Sequence, residues 1–212
     1  IRRVVESAAY QNELFVQAIQ LDDRQNYLVN KCINVAIFSI RAAAQLGYSR
    51  EKQVEIGMAA LLHEVGMGRI PAQIAHKQSP LTPEEFKTIH KHAEYGYEIL
   101  KPYGSKYPYL AEVALQVYER IDGSGYPRGL KGEEIHEYGQ IIGLMGIYEA
   151  LSHSRPHRDR FNPFYAIKEI IDAVTLANET GADVFEATQG ALILFGLLNL
   201  GIVLFSRASG AV

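Results

Sequence analysis

Apolar side chains recur every three to four residues through most of this chain, the period of helices with one buried face. Val5 to about Ile19 is amphipathic, with Leu14 and Ala18 on its apolar side. From about Arg24 to Leu46 the run LVNKCINVAIFSIRAAAQL is apolar over most of its circumference, which predicts a central, buried helix. Gly47 is placed to end that helix and Ser49 to cap the next, which carries Val54, Met58, Leu61, Leu62 and Val65 at helical spacing. The sharpest start signal is TPEE at 82–85, with Thr82 as N-cap, Pro83 at the first helical position and Glu85 closing a capping box. That helix should run to about Leu100, before Pro102.

Further helices are expected over about Tyr109–Glu119, Tyr138–His153, Pro163–Ala177 and Val184–Leu197. A glycine-rich loop, DGSGYPRGLKG, separates two of them at Asp122–Gly132, and Ser209-Gly210 suggests a small terminal hairpin. The expected fold class is all-α, a bundle of about seven to eight helices with that hairpin as its β structure. The expected divisions are an N-terminal helix at 1–22, the main helical domain at 23–198 and a tail at 199–212.

Composition narrows the function classes. Apolar residues make up 48% of the 212 and charged ones 21%, so the chain can bury a core. A net charge of −3 lacks the clustered basic excess of a nucleic-acid-binding surface. The lone Cys32 excludes an intramolecular disulfide and fits a reducing, cytoplasmic setting. Glu6 interrupts what would have to be a signal core. The apolar run Gly190–Phe205 is shorter than a spanning helix and is broken by Asn199 and glycines, so it reads as a buried helix followed by a strand.

Four stretches carry a resemblance: LLHEVGMGRIP (61–71), LTPEEFKTIHKHAEYGYEIL (81–100), ERIDGSGYPRGLKGEEI (119–135) and IIGLMGIYEALSHSRPHR (141–158). In this order they resemble the HD-GYP branch of the HD phosphohydrolase superfamily, and GSGYPRGLKG is a long and specific match. The resemblance implies an HD-domain helical bundle in which two or three iron or manganese ions activate a water that hydrolyses cyclic di-GMP. Such a site needs His and carboxylate ligands converging from several helices.

Taken position by position, the resemblance implies a mostly dismantled site. His63 and Glu64 stand at the His-Asp pair and His92 at the next histidine ligand. Lys31 stands where the family has its first ligand histidine, and Met67 where it has a lysine. Val117 and Tyr118 stand where it has paired histidines, and Gly146 where it has an aspartate. Val and Gly side chains offer no lone pair, and an ammonium repels a cation. No cofactor is therefore expected beyond one weakly bound Fe or Mn at His63, Glu64 and His92. Lys31 is expected to enter the vacated cavity and pair with Glu64, since a buried ammonium without a carboxylate partner is costly.

In the loop, Gly125, Tyr126, Pro127, Arg128 and Lys131 form the candidate nucleotide-binding set. Its glycines let backbone N–H groups approach a ligand, and Arg128 and Lys131 match residues that contact phosphate in the family. Asp122 is expected to brace the loop. His76, His90, His136, His153 and His157 are expected to be solvated or locally bonded surface histidines. Glu94, Glu98 and Lys101 read as an exposed helix flank, and RPHRDR (155–160) as a solvated turn.

Three functions stay open at this point. The first is a non-catalytic HD-GYP-like signalling module binding cyclic di-GMP, or a partner such as a GGDEF-type cyclase domain, through the loop. The second is a weak metal-dependent phosphodiesterase. The third is a structural oligomerisation domain, a homodimer being the simplest case.

Overall fold

The structure is a computed structural model, which describes residues 27–77 and 79–153 together with Ala18 and Lys168. These residues are mostly helical, and their β structure is one isolated antiparallel bridge between Asp122 and Lys131. Ala18 and Lys168 are themselves helical. The rest of the expected helices at 5–19 and 163–177, the one at 184–197, the 155–160 turn, His157 and the terminal hairpin lie outside the described residues.

Helix α1 (Tyr27–Gln45) is the central element, packed against α2 (Arg50–Leu62) and α7 (Glu137–Ser152). Its buried run Asn34–Ala43 covers nearly the whole circumference, as the sequence pattern implied. Phe38 meets Tyr148 of α7 edge-on, ring centroids 5.1 Å apart, beside Ile142 and Met145. The end of α1 is a Schellman motif. Gly47 adopts φ 77°, its N–H bonds Ala44 O at 3.1 Å, and the Tyr48 N–H bonds Ala43 O at 3.0 Å. Ser49 Oγ then caps α2 through the Lys52 N–H.

After α2 come a 3₁₀ turn at Val65–Arg69 and a short α3 (Ala72–Ala75). The helix expected from Thr82 to Leu100 is two helices, α4 (Pro83–His90) and α5 (His92–Leu100). Its start is as expected: Thr82 Oγ1 accepts from the Glu85 N–H at 3.3 Å, and Glu85 Oε2 accepts from the Thr82 N–H at 2.8 Å. The break falls at Lys91, whose N–H bonds Thr88 O three residues back at 3.3 Å. The tightened turn lets His92 point inward while His90 stays at the loop. A 3₁₀ turn at Lys101–Tyr103 leads to α6 (Leu110–Gln116), shorter than its expected extent, and the loop then returns the chain to α7.

Helix α5 packs on α6 and on the 65–69 turn at backbone contact distance. A Cβ at Gly66 would lie 1.9 Å from His92 O and 2.5 Å from Gly96 N, so this approach requires glycine. A Cβ at Gly96 would meet Ala114 Cβ at an ordinary 3.7 Å. Gly66→Ala should therefore cost about 1–3 kcal/mol in urea unfolding. Gly96→Ala should be neutral or stabilising by up to about 1 kcal/mol, because alanine is the better helix former. Equal effects of the two changes would refute the close approach.

Candidate functional site: a buried cation–carboxylate centre beside a glycine-rich loop

The centre is built at three helix ends. At the C-terminus of α2, His63 Nδ1–H donates to Ala60 O at 2.6 Å; at the start of α5, His92 Nδ1–H donates to Ile89 O at 2.7 Å. A carbonyl can only accept, so each neutral ring carries its proton on Nδ1 and presents the Nε2 lone pair. Both Nε2 atoms face the Glu64 carboxylate, at 3.7 Å for His63 and 3.5 Å for His92. The three side chains are 1–5% exposed.

Lys31 reaches this pocket from α1. Its ammonium donates to Glu64 Oε1 and, at 3.3 Å, to the Tyr118 hydroxyl, which itself donates to Glu64 Oε1. The pairing expected from sequence is thus present in the structure. Burial alone would raise the Glu64 pKa, but the attraction of Lys31, with smaller help from His63 and His92, holds it well below the usual carboxylate range. Burial likewise opposes the Lys31 charge, and Glu64 overrides it to raise the ammonium above its ordinary value. His63 is pulled down to about 4, chiefly by burial, and His92 is lowered for the same reason. Burial and the Glu64 charge push the neighbouring Cys32 thiol up to about 12.

Aromatic rings connect this centre to the loop. Tyr118 lies edge-on to His92 at 4.7 Å and parallel to Tyr126 at 5.1 Å; Tyr126 stacks on His90 at 3.6 Å and 8°. Phe86 closes the column edge-on to His90. His90 was expected as a solvated or locally bonded surface histidine and Tyr126 as a member of the candidate nucleotide-binding set; the structure stacks the two rings on each other.

The loop is held from beneath by Glu119. This buried carboxylate accepts from the Arg128 N–H at 2.7 Å and the Leu130 N–H at 3.0 Å. Asp122 braces the loop as expected, accepting from Ser124 N–H at 2.9 Å and from its hydroxyl at 2.7 Å. Gly125 lies so close to residues 119–120 that a Cβ would sit 2.3 Å from Arg120 N. Tyr126 turns inward, while Arg128 and Lys131 remain exposed on the outer side. Glu119 entered the sequence reading only as a landmark; a carboxylate just before a run of loop N–H groups was the available signal.

The other expected site positions divide. Val117 is a core residue, 3% exposed, and Met67 lies in the 65–69 turn. A Cβ at Gly146 would meet nothing within 4 Å. His153 is a correction: expected at the surface, it is buried. Its Nε2 lies 2.8 Å from Ala18 O and 3.3 Å from Asn34 Nδ2, and it lies beside Ser152, because the end of α7 turns into the core. His136 is locally bonded, capping α7 through the Tyr138 N–H, and His76 is exposed.

A metal fits this arrangement poorly as it stands. Among the described residues no three His, Cys, Asp or Glu side chains are arranged to hold a metal ion, and the Glu64 oxygen nearest His63 already binds an ammonium and a phenol. The same residues also include no helix long and apolar enough to cross a membrane.

A profile of the HD domain family matches residues 15–175, and the chain belongs to that family. Its relatives lie in the HD-GYP branch. It is 41% identical over 126 residues to a cyclic di-GMP phosphodiesterase of Thermotoga maritima, an overlap covering 59% of this chain and 34% of that protein. It is 39% identical over 120 residues to the cyclic di-GMP phosphodiesterase response regulator RpfG of Xanthomonas campestris pv. campestris, covering 55% and 31%. The chain thus spans about a third of the length of these relatives. The fold is similar to that of Bd1817, an HDG"Y"P protein from Bdellovibrio bacteriovorus, with TM-score 0.63 at 17% identity over 90% of this chain and 64% of that one.

Two predictions follow from the buried charges. Lys31→Met leaves Glu64 without its cation and should cost about 3–5 kcal/mol in urea unfolding, whereas Lys31→Met combined with Glu64→Leu should recover most of that loss. A stabilising single Lys31→Met change would refute the pairing. Acid should also weaken the fold early. The folded His63 pKa of about 4 lies below its ordinary 6.5, so the unfolded chain binds the proton more readily and stability falls as pH drops through that window. The slope should reach about 1.4 kcal/mol per pH unit for each such histidine. The Glu64 contribution persists until lower pH, since its folded pKa is depressed. Thermal unfolding between pH 7.5 and 4.5 should show the decline, and His63→Gln should flatten it.

Proposed function

We propose that this domain is a non-catalytic HD-GYP signalling module that receives cyclic di-GMP through the 122–132 loop. The observation that carries this reading is the Lys31 ammonium held between Glu64 and Tyr118, a fixed cation in the pocket where the family's metals would lie. A cation there satisfies the carboxylate but cannot acidify water or take up a phosphate oxygen as a metal does. Val117 and Gly146, at two further ligand positions by resemblance, supply no lone pair. The loop, by contrast, is kept in order by Glu119 and Asp122 and leaves Arg128 and Lys131 exposed to a phosphate. Under this reading the same outer side is the surface a GGDEF-type cyclase domain would meet.

A second reading has its own support. His92 Nε2 is buried without a hydrogen-bond partner, and both histidines hold the tautomer that suits a metal. One Fe or Mn bound by His63, Glu64 and His92 after Lys31 swings aside would make a weak phosphodiesterase.

Metal content and cyclic di-GMP hydrolysis, measured together on anaerobically purified protein, separate the two. Substoichiometric metal, no hydrolysis and chelator-insensitive binding of cyclic di-GMP are expected. Two or more metal ions per chain with turnover would sink the non-catalytic reading. Turnover with one metal, lost on adding chelator and in His63→Ala, would establish the second.

A further inference from the structure

A groove of about 550 Å³ lies on the outer side of the loop, between α5 and α6. Its chemistry is split. Leu115, Pro127 and the Tyr97 ring give apolar surface; Lys101 and Arg128 supply cations; Glu94 and Glu98 supply carboxylates. Positions 94, 97, 98 and 101 recur at three- and four-residue spacing, so one stripe of α5, continued by Lys101 in the 3₁₀ turn, forms one wall.

The charges differ in how firmly they are engaged. Glu98 is paired with Arg69, but no described residue bonds or pairs with the exposed Glu94. The Arg128 guanidinium makes a long 3.4 Å contact to Glu112, and Lys101 lies 5.6 Å over the Tyr97 ring with its side chain exposed. A ligand that matches this groove therefore has a flat body for Tyr97 and Pro127, anionic oxygens for Lys101 and Arg128, and adjacent N–H donors for Glu94. Guanine offers N1–H and the N2 amino group side by side on one edge, which suits the two oxygens of a carboxylate. Adenine places an acceptor at N1 and would face Glu94 with a repulsive lone pair.

We propose that this groove binds one guanylate half of the nucleotide, with Glu94 reading the guanine edge and Lys101 and Arg128 holding the phosphate. The inference rests on cyclic di-GMP binding through the loop and adds a specificity-determining residue outside it. Glu94 is an exposed residue of a surface helix, so its replacement tests recognition with little effect on the fold.

The test is calorimetric titration of the whole chain with cyclic di-GMP and cyclic di-AMP, for the parent and for Glu94→Gln, Lys101→Ala and Lys131→Ala. The parent should prefer cyclic di-GMP by roughly 10- to 100-fold, the range of one charge-assisted hydrogen bond. Glu94→Gln should lose most of that preference, while Lys101→Ala should weaken whatever binding of the two nucleotides is measurable by a similar factor. Unaltered affinity and selectivity in both groove variants, with binding lost in Lys131→Ala, would overturn the groove assignment and leave loop binding standing. Failure of the parent to bind either nucleotide would overturn both.

Discussion

A carboxylate and two imidazole lone pairs that face one another inside a helical bundle are all hydrogen-bond acceptors, and their meeting in a poorly hydrated interior is unfavourable without a positive charge among them. The His63 and His92 rings are fixed in that arrangement, since each is tethered to a carbonyl three residues earlier. The Lys31 ammonium meets the requirement, and the Tyr118 hydroxyl serves the same carboxylate oxygen. Three helices are thereby tied at one point: α1 through Lys31, the end of α2 through Glu64, and the chain just after α6 through Tyr118. The close approach at Gly66 brings α5 and His92 to the same place.

Loop and centre are distinct in chemistry but continuous in packing. Tyr118 belongs to both, its hydroxyl on Glu64 and its ring on Tyr126, and Tyr126 carries the contact outward to His90. The loop also has supports of its own, since Glu119 and Asp122 bind its N–H groups directly. Different side chains therefore set the order of the loop and the charge balance of the centre.

The amino-acid sequence by itself determined the local events, which depend on neighbours in the chain. The capping box at Thr82 and Glu85, the helix end at Gly47, the cap at Ser49 and the buried run of α1 were all legible, because each follows from short-range geometry or helical period. The Lys31–Glu64 pair was legible too, although 33 positions separate its members. There the signal was a resemblance that placed an ammonium and a carboxylate in one cavity, together with the cost of burying either alone.

Tertiary structure decided what depended on which surfaces meet. It divided the expected 83–100 helix at Lys91, so that His90 and His92 face different partners. It buried His153 against Asn34 and Ala18, although a histidine at a helix end reads as exposed. It made Glu119 the support of the loop, and it turned the exposed flank of Glu94, Glu98 and Lys101 into the wall of a groove by bringing Pro127 and Arg128 opposite. Helical period and capping chemistry specify which face of an element is apolar; only packing specifies what that face, or the polar one, comes to lie against.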